Sequence, residues 1–95
     1  MIVCEITTYK NGAPDGDVRK KHLNFLRESG QKGKLLMAGR FADLKGALIL
    51  WRVDSIDEAR GIAEKDPYAV EGLATYDLRE WPAIFDYTRN PPLVA

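Results

Sequence analysis

The sequence has very few of the residues that bind metals or form covalent links. Cys4 and His22 are the only cysteine and the only histidine among 95 residues. A lone cysteine excludes an intrachain disulfide and a cysteine cluster around a metal. A single histidine among scattered carboxylates is a poor signature of a metal site. Glycine-rich phosphate loops and nucleophile elbows are also missing. We therefore expect no metal and no cofactor.

Charge of one sign and long apolar runs are missing as well. Fourteen basic and fourteen acidic residues give a formal net charge of zero, without a clustered basic face. This balance argues against nucleic acid or an anionic membrane as a partner. No apolar run approaches the ~18 residues of a membrane span, and the N-terminus lacks a signal-peptide pattern. The sequence predicts a cytoplasmic protein with a single domain over residues 1–95.

Four stretches predict β-strands, namely Ile2–Tyr9, Lys34–Ala42, Ala47–Val53 and Leu73–Trp81. The second is interrupted at Gly39, where we expect a bulge or a close approach of another backbone segment. The third is almost continuously apolar, which is typical of a central strand covered on both faces. In the first strand, alternation places Ile2, Cys4 and Ile6 on one face and a mixed set on the other: Val3, Glu5, Thr7 and Tyr9.

Two helices are predicted between these strands. The first runs from about Val18 to Ser29, with Asp17 as its N-cap and Gly30 as its stop. The second opens with the capping box of residues 55–58, a serine followed three residues later by a glutamate. A proline after Asp66 predicts the end of this second helix.

The order strand, helix, strand, strand, helix, strand is that of the ferredoxin-like α+β fold with an antiparallel sheet. Helices cover only one face of such a sheet, whereas the apolar strand Ala47–Val53 calls for cover on both. Two chains packed sheet against sheet would supply it. We therefore expect a homodimer, with the C-terminal extension of residues 82–95 packing on the partner chain.

His22 and Asp66 occupy unusual places for polar residues. His22 follows Val18 by four residues and precedes Leu26 by four, within an apolar helix stripe; Asp66 follows Ile62 by four, on the apolar side of the other helix. A carboxylate that accepts a hydrogen bond from one imidazole nitrogen leaves the other nitrogen free for a proton. This pair is the candidate catalytic dyad, with His22 as base and Asp66 orienting it.

A structural role for Asp66 is compatible with that function. Aspartate before proline is a good N-cap for the short turn Pro67–Glu71. Three further residues are candidates for substrate binding: Arg40, Tyr68 and Trp81. Arg40 would clamp an anion or carboxylate with its planar guanidinium. The structural alternatives are an exposed arginine at a strand end and, for Trp81, a place in the core.

Short segments spread over nearly the whole chain resemble the YCII-related proteins. They are His22-Leu23, Gly33–Gly39, Gly46, Ser55–Ala59, Lys65–Tyr68, Gly72-Leu73 and Trp81. The resemblance implies a dimeric α+β barrel, related in fold to muconolactone isomerase and to small heme-free monooxygenases. It also implies an active site centred on a histidine and an aspartate, which fall on His22 and Asp66. The chain departs from the family at Arg40, where a proline usually follows the glycine.

One type of family member is linked to dehydrochlorination of a chlorinated hydroxyquinol. The resemblance and the predicted dyad together favour elimination or isomerisation of a small ring compound. Two alternatives remain open at this point: a non-catalytic dimer that binds a small metabolite or serves as an accessory protein, and a cofactor-free monooxygenase, for which the shared fold is only an analogy.

Overall fold

The computed structural model describes all residues from Met1 to Ala95. Its elements are β1 Ile2–Tyr9, α1 Gly16–Gln31, β2 Leu35–Arg40, β3 Gly46–Arg52, α2 Ile56–Ala63, α3 Pro67–Val70 and β4 Ala74–Glu80. The strands form one antiparallel sheet in the order β2-β3-β1-β4. This topology confirms the predicted α+β, ferredoxin-like fold.

The first helix begins and ends slightly outside its predicted bounds. Asp15 is the N-cap, with extended backbone and a side-chain oxygen that accepts from the N–H of Gly16 at 2.9 Å, so the prediction of Asp17 was wrong. Gly16 has φ of 70°, a left-handed conformation that favours glycine. At the other end, the helix continues past Gly30 to Gln31.

The capping serine of the second helix was predicted correctly. Ser55 Oγ accepts from the N–H of Glu58 at 3.1 Å. The helix ends at Ala63, three residues before the predicted end, and a separate short helix follows. Asp66 is the N-cap of that short helix, since its side chain accepts from the N–H of Tyr68 at 3.0 Å. The structural role predicted for Asp66 is therefore present.

The helices cover one face of the sheet, and β1 turns its mixed face towards them. Val3, Glu5, Thr7 and Tyr9 are all buried, whereas Ile2, Cys4 and Ile6 are half-buried or exposed. Two clusters form the core beneath the helices: Val3, Ile49, Trp51, Val53 and Ala59 in one, and Tyr9, Ala47, Tyr68 and Ala74 in the other. The second cluster forms the floor of the site described below.

A bulge in β2 lies at Leu36. At Gly39, where the sequence predicted a bulge or a close backbone approach, the register is regular and an added Cβ would meet nothing within 4 Å. Leu35 pairs with Trp51, but Met37 already pairs with Leu50, so one extra residue is inserted between them. An inserted residue reverses the faces of all residues that follow in the strand. Met37, 67% exposed, therefore turns away from the helices.

The face of the sheet that turns away from the helices carries exposed apolar side chains, including Ile6, Met37 and Leu48. The strand Ala47–Val53 is thus covered on one face only within a single chain. The C-terminal extension also exposes apolar residues: Ile84, Phe85, Tyr87, Leu93 and Val94. None of the helices has the length and apolar character needed to cross a bilayer.

Candidate active site

His22 and Asp66 are in direct contact. His22 Nδ1 lies 2.8 Å from Asp66 Oδ1, and the two residues are 9% and 4% exposed. They meet because α1 packs against α3, which brings His22 of α1 to Asp66 at the N-cap of α3. The structure gives Nδ1 a hydrogen-bond partner in the chain and gives none to Nε2. Asp66 thereby selects the tautomer in which Nδ1 carries hydrogen and Nε2 can accept a proton.

Tyr68 holds both members of this pair. Its ring stacks on the imidazole of His22, with centroids 3.9 Å apart and planes inclined by 8°. Its backbone N–H donates to Asp66 Oδ1, the same oxygen that contacts His22. The N-cap geometry of α3 therefore orients the carboxylate, and the stacked ring restricts rotation of the imidazole.

Arg40 reaches the same site because of the bulge in β2. Strict alternation from Leu35 would turn Arg40 to the uncovered face, but the inserted residue brings it beside Ala47 on the helix side. Its Nη2 donates to the carbonyl oxygen of Pro14 and, at 3.3 Å, to the hydroxyl of Tyr68. The guanidinium also lies 5.6 Å from the centre of the Tyr9 ring. Burial raises the pKa of Tyr68, and the charge of Arg40 opposes this effect.

These side chains surround a cavity of about 250 Å³. Its polar and aromatic walls are Tyr9, Arg19, His22, Arg40 and Tyr68, and its apolar walls include Leu23, Leu26, Ala47 and Ile49. The cavity is lined by His22, whose Nε2 has no partner in the chain, and by two arginines, and its volume suits a single substituted ring. No three histidine, cysteine, aspartate or glutamate side chains converge to hold a metal ion.

The structure brings four of the five predicted site residues together and leaves Trp81 apart. Trp81 is 49% exposed and donates its backbone N–H to Ile2 at the opposite end of β1 from Tyr9. It lines a groove with the C-terminal extension instead of the cavity. It is not part of the core, which was the structural alternative.

Sequence reasoning missed three residues of this region: Glu5, Tyr9 and Arg19. Glu5 is only 2% exposed, and burial raises the pKa of its carboxyl group. The available signal for Glu5 and Tyr9 was their shared face with Val3, which becomes the helix-covered face. For Arg19 the signal was its spacing of three residues before His22, which places both on one side of α1.

Comparisons with known proteins agree with this fold and with the segments noted in the sequence. The family model of the YCII-related domain matches residues 1–82. The uncharacterized protein YjpA of Bacillus subtilis (strain 168) is 32% identical over 60 residues, which make up 63% of this chain and 71% of YjpA.

A solved structure of similar fold is the 5-chloro-2-hydroxyhydroquinone dehydrochlorinase TftG of Burkholderia phenoliruptrix AC1100, in complex with 2,5-dihydroxybenzoquinone. The TM-score is 0.65, and the match covers 85% of this chain and 93% of TftG. Sequence identity is 20%, so the likeness concerns the fold.

Proposed function

The chain belongs to the YCII-related family, and we propose that it is a small-molecule enzyme in which His22 and Asp66 perform acid–base chemistry on a small ring compound. The observation that carries the proposal is the 2.8 Å contact between His22 Nδ1 and Asp66 Oδ1 at the wall of the cavity. TftG, a protein of the same fold, acts on a substituted ring, which favours this class of substrate.

In the proposed reaction, His22 Nε2 removes a proton from a carbon or hydroxyl group of the bound ring. Asp66 stabilises the imidazolium that forms. The electron pair left on the substrate either expels a leaving group such as chloride, which is elimination, or shifts a double bond and is reprotonated by the imidazolium, which is isomerisation. In both cases the chain's own residues supply the proton acceptor and the proton donor.

Arg40 and Tyr68 serve as substrate-binding residues in this proposal. Nη2 of Arg40 donates to Pro14 and Tyr68, and Tyr9 also interacts with the guanidinium. Arg19 adds a second positive charge to the same wall. A planar guanidinium binds carboxylate-type groups through paired hydrogen bonds, so the expected ligand is a ring with an anionic oxygen substituent.

The experiment that tests catalysis is a screen of chlorinated hydroxyquinols and unsaturated lactones against the wild type and His22→Ala. Product formation is followed by chloride release and by ultraviolet absorbance. We expect the wild type to turn over a member of the panel and His22→Ala to lose at least about a hundredfold in rate. Equal turnover by the two proteins would rule out His22 as the base. Binding without product in the wild type would instead favour the non-catalytic alternative.

Anion binding is tested separately with benzoate and benzamide, which have similar shapes and differ in charge. We expect benzoate to bind more tightly, and Arg40→Met to lose about tenfold or more in benzoate affinity. The matched control is Arg79→Met, which removes an exposed arginine from the other face of the sheet. An equal loss in both variants would show that the effect is one of net charge and not of the cavity.

We also propose that the active form is a homodimer. The uncovered face of the sheet exposes Met37 and Leu48, and the C-terminal extension exposes Phe85 and Tyr87. Large exposed apolar patches are uncommon on monomeric proteins and often mark a contact between chains. Sheet-to-sheet contact between two copies would bury the first patch, and the extension would pack on the partner with Trp81.

A further inference from the structure

Glu5 is a buried carboxyl group that the proposed mechanism does not use. It lies in β1 on the face covered by the helices and is 2% exposed. Its Oε1 accepts from Trp51 Nε1 at 3.0 Å, and its Oε2 accepts from the hydroxyl of Thr7 at 3.1 Å. Both donors are neutral. A carboxylate buried without a positively charged partner is costly, and proteins commonly respond by retaining its proton.

The other buried carboxyl group in this region is that of Asp66. The two carboxyls line one cavity of about 10 Å³, together with Thr7. That volume is about the minimum that a single water needs, and the cavity offers such a water several polar partners. The hydroxyl of Thr7 can also reverse, accepting from a protonated Glu5 and donating towards the cavity. Through such a water or the Thr7 hydroxyl, hydrogen bonds can link the carboxyl group of Glu5 to that of Asp66.

Four titratable groups face Glu5 from the elements packed against it. They are His22 on α1, Asp66 and Tyr68 on α3, and Tyr76 on β4, whereas α2 and β3 bring none. Burial raises the pKa of Glu5, and the hydrogen bonds from Trp51 and Thr7 partly oppose this. The charge of Asp66 raises the pKa of Glu5 further, and a charged His22 lowers it. The interaction is reciprocal, because two charged groups change each other's free energy of ionisation by the same amount.

We propose that Glu5 is a third ionisable group of the site, whose charge is coupled to the charges of Asp66 and His22. With Glu5 neutral, the imidazole faces the single charge of Asp66. With Glu5 ionised, a second negative charge is added near that of Asp66, and it favours the charged imidazolium of His22. The proposal concerns the same pair as the proposed function, but it is a statement about charge coupling and holds whether or not turnover is found.

His22 is the only histidine, so its ring protons give an isolated NMR signal that can be followed against pH. We expect Glu5→Gln to change this titration in one of two ways, by on the order of half a pH unit or more. Either the variant lowers the midpoint of the curve, or it removes a second inflection present in the wild type. The amide oxygen of glutamine can still accept from Trp51, which preserves packing. Superimposable curves would overturn the proposal.

The matched control is Asp77→Asn, which removes a carboxylate from the uncovered face of the same sheet. Its His22 curve should coincide with the wild type, and a shift equal to that of Glu5→Gln would overturn the proposal by showing a general charge effect. An independent measurement follows the ¹³C signal of the Glu5 carboxyl in the wild type and in Asp66→Asn. Where His22 is neutral in both proteins, losing the like charge should make Glu5 titrate at lower pH, and an unchanged curve under those conditions would also overturn the coupling.

Discussion

The ring of Tyr68 lies parallel to the imidazole of His22, 3.9 Å away, while the N–H of Tyr68 binds the carboxylate that His22 contacts. A single residue thus fixes the plane of the imidazole and the position of the carboxylate. Tyr68 also accepts a hydrogen bond from Arg40, which links the pair to the proposed anion-binding residue.

Two substitutions separate these roles of Tyr68. Tyr68→Phe retains the stacked ring and loses only the hydroxyl bound by Arg40. Its free energy of unfolding should therefore lie within about 1 kcal/mol of the wild-type value. It should also bind benzoate more weakly, because Arg40 loses a hydrogen-bond partner. Tyr68→Leu loses the stack and should be destabilised by about 1–3 kcal/mol. Urea unfolding and calorimetric titration of benzoate measure both effects. Equal stability of the two variants would contradict a role for the stack.

Substitutions of Asp66 should distinguish the cap from the charge. Asp66→Ala removes the cap of α3 and leaves His22 Nδ1 without a partner, at a cost of about 2–4 kcal/mol. Asp66→Asn can still cap the helix and accept from His22, so about 1 kcal/mol is expected, while the stabilising charge is lost. Comparing unfolding free energy with turnover in both variants is the measurement. A stable Asp66→Asn protein with undiminished turnover would contradict the proposed dyad.

The dependence of stability on pH should carry a contribution from Glu5. Burial raises the pKa of Glu5, so the folded state binds its proton more tightly than the unfolded state. The free energy of unfolding should therefore fall as pH rises from the unfolded value through the folded pKa, and be largest below both. Glu5→Gln removes this decline, which can be measured by urea unfolding between about pH 4 and 8. Parallel profiles for the two proteins would contradict this assignment.

Two glycines should respond in opposite directions to alanine. A Cβ at Gly46 would collide with the carbonyl oxygen of Thr7 on the neighbouring strand, so Gly46→Ala should cost about 2–3 kcal/mol. A Cβ at Gly61, inside α2, meets nothing within 4 Å. Gly61→Ala should therefore stabilise by about 0.5–1 kcal/mol through helix propensity. Thermal and urea unfolding of both variants check this contrast.

If the chain forms the proposed homodimer, its mass in solution should rise with protein concentration. This association should require the apolar side chains on the uncovered face of the sheet. Leu48→Glu places a charge at the centre of that face and should yield monomers at micromolar concentration in analytical ultracentrifugation. Truncation after Trp81 should weaken the dimer by removing the C-terminal extension. The control is Val70→Glu, an exposed apolar residue on the helix side of the sheet. A monomeric wild type would contradict both the dimer and the role of the extension.

The element order and the meeting of His22 with Asp66 could be predicted because both depend on local pattern. His22 interrupts the apolar stripe of α1, and Asp66 follows the apolar face of α2 and caps α3, on the same side of the sheet. The N-cap of α1 could not be placed, since Asp15 and Asp17 flank the glycine and either fits the composition of a helix start. The backbone conformation of Gly16 decides between them.

The environments of Arg40 and Glu5 lie beyond pattern reasoning for a different reason. The face that Arg40 occupies is set by one inserted residue, Leu36, and nothing in an apolar run marks which residue will be inserted. Glu5 alternates with Val3 and Thr7, which made its face seem half polar. Its burial depends on partners far along the chain, above all the indole of Trp51.

One oxygen atom, Asp66 Oδ1, accepts hydrogen bonds from the imidazole of His22 and from the backbone N–H of Tyr68 in the first turn of α3. Any substitution that removes the carboxylate therefore disturbs folding as well as chemistry. In evolutionary terms, purifying selection for a folded chain is enough to preserve this aspartate, even in lineages whose reaction has changed. Arg40 and Arg19 line the same cavity without capping α3, so exchanging them would leave that cap in place.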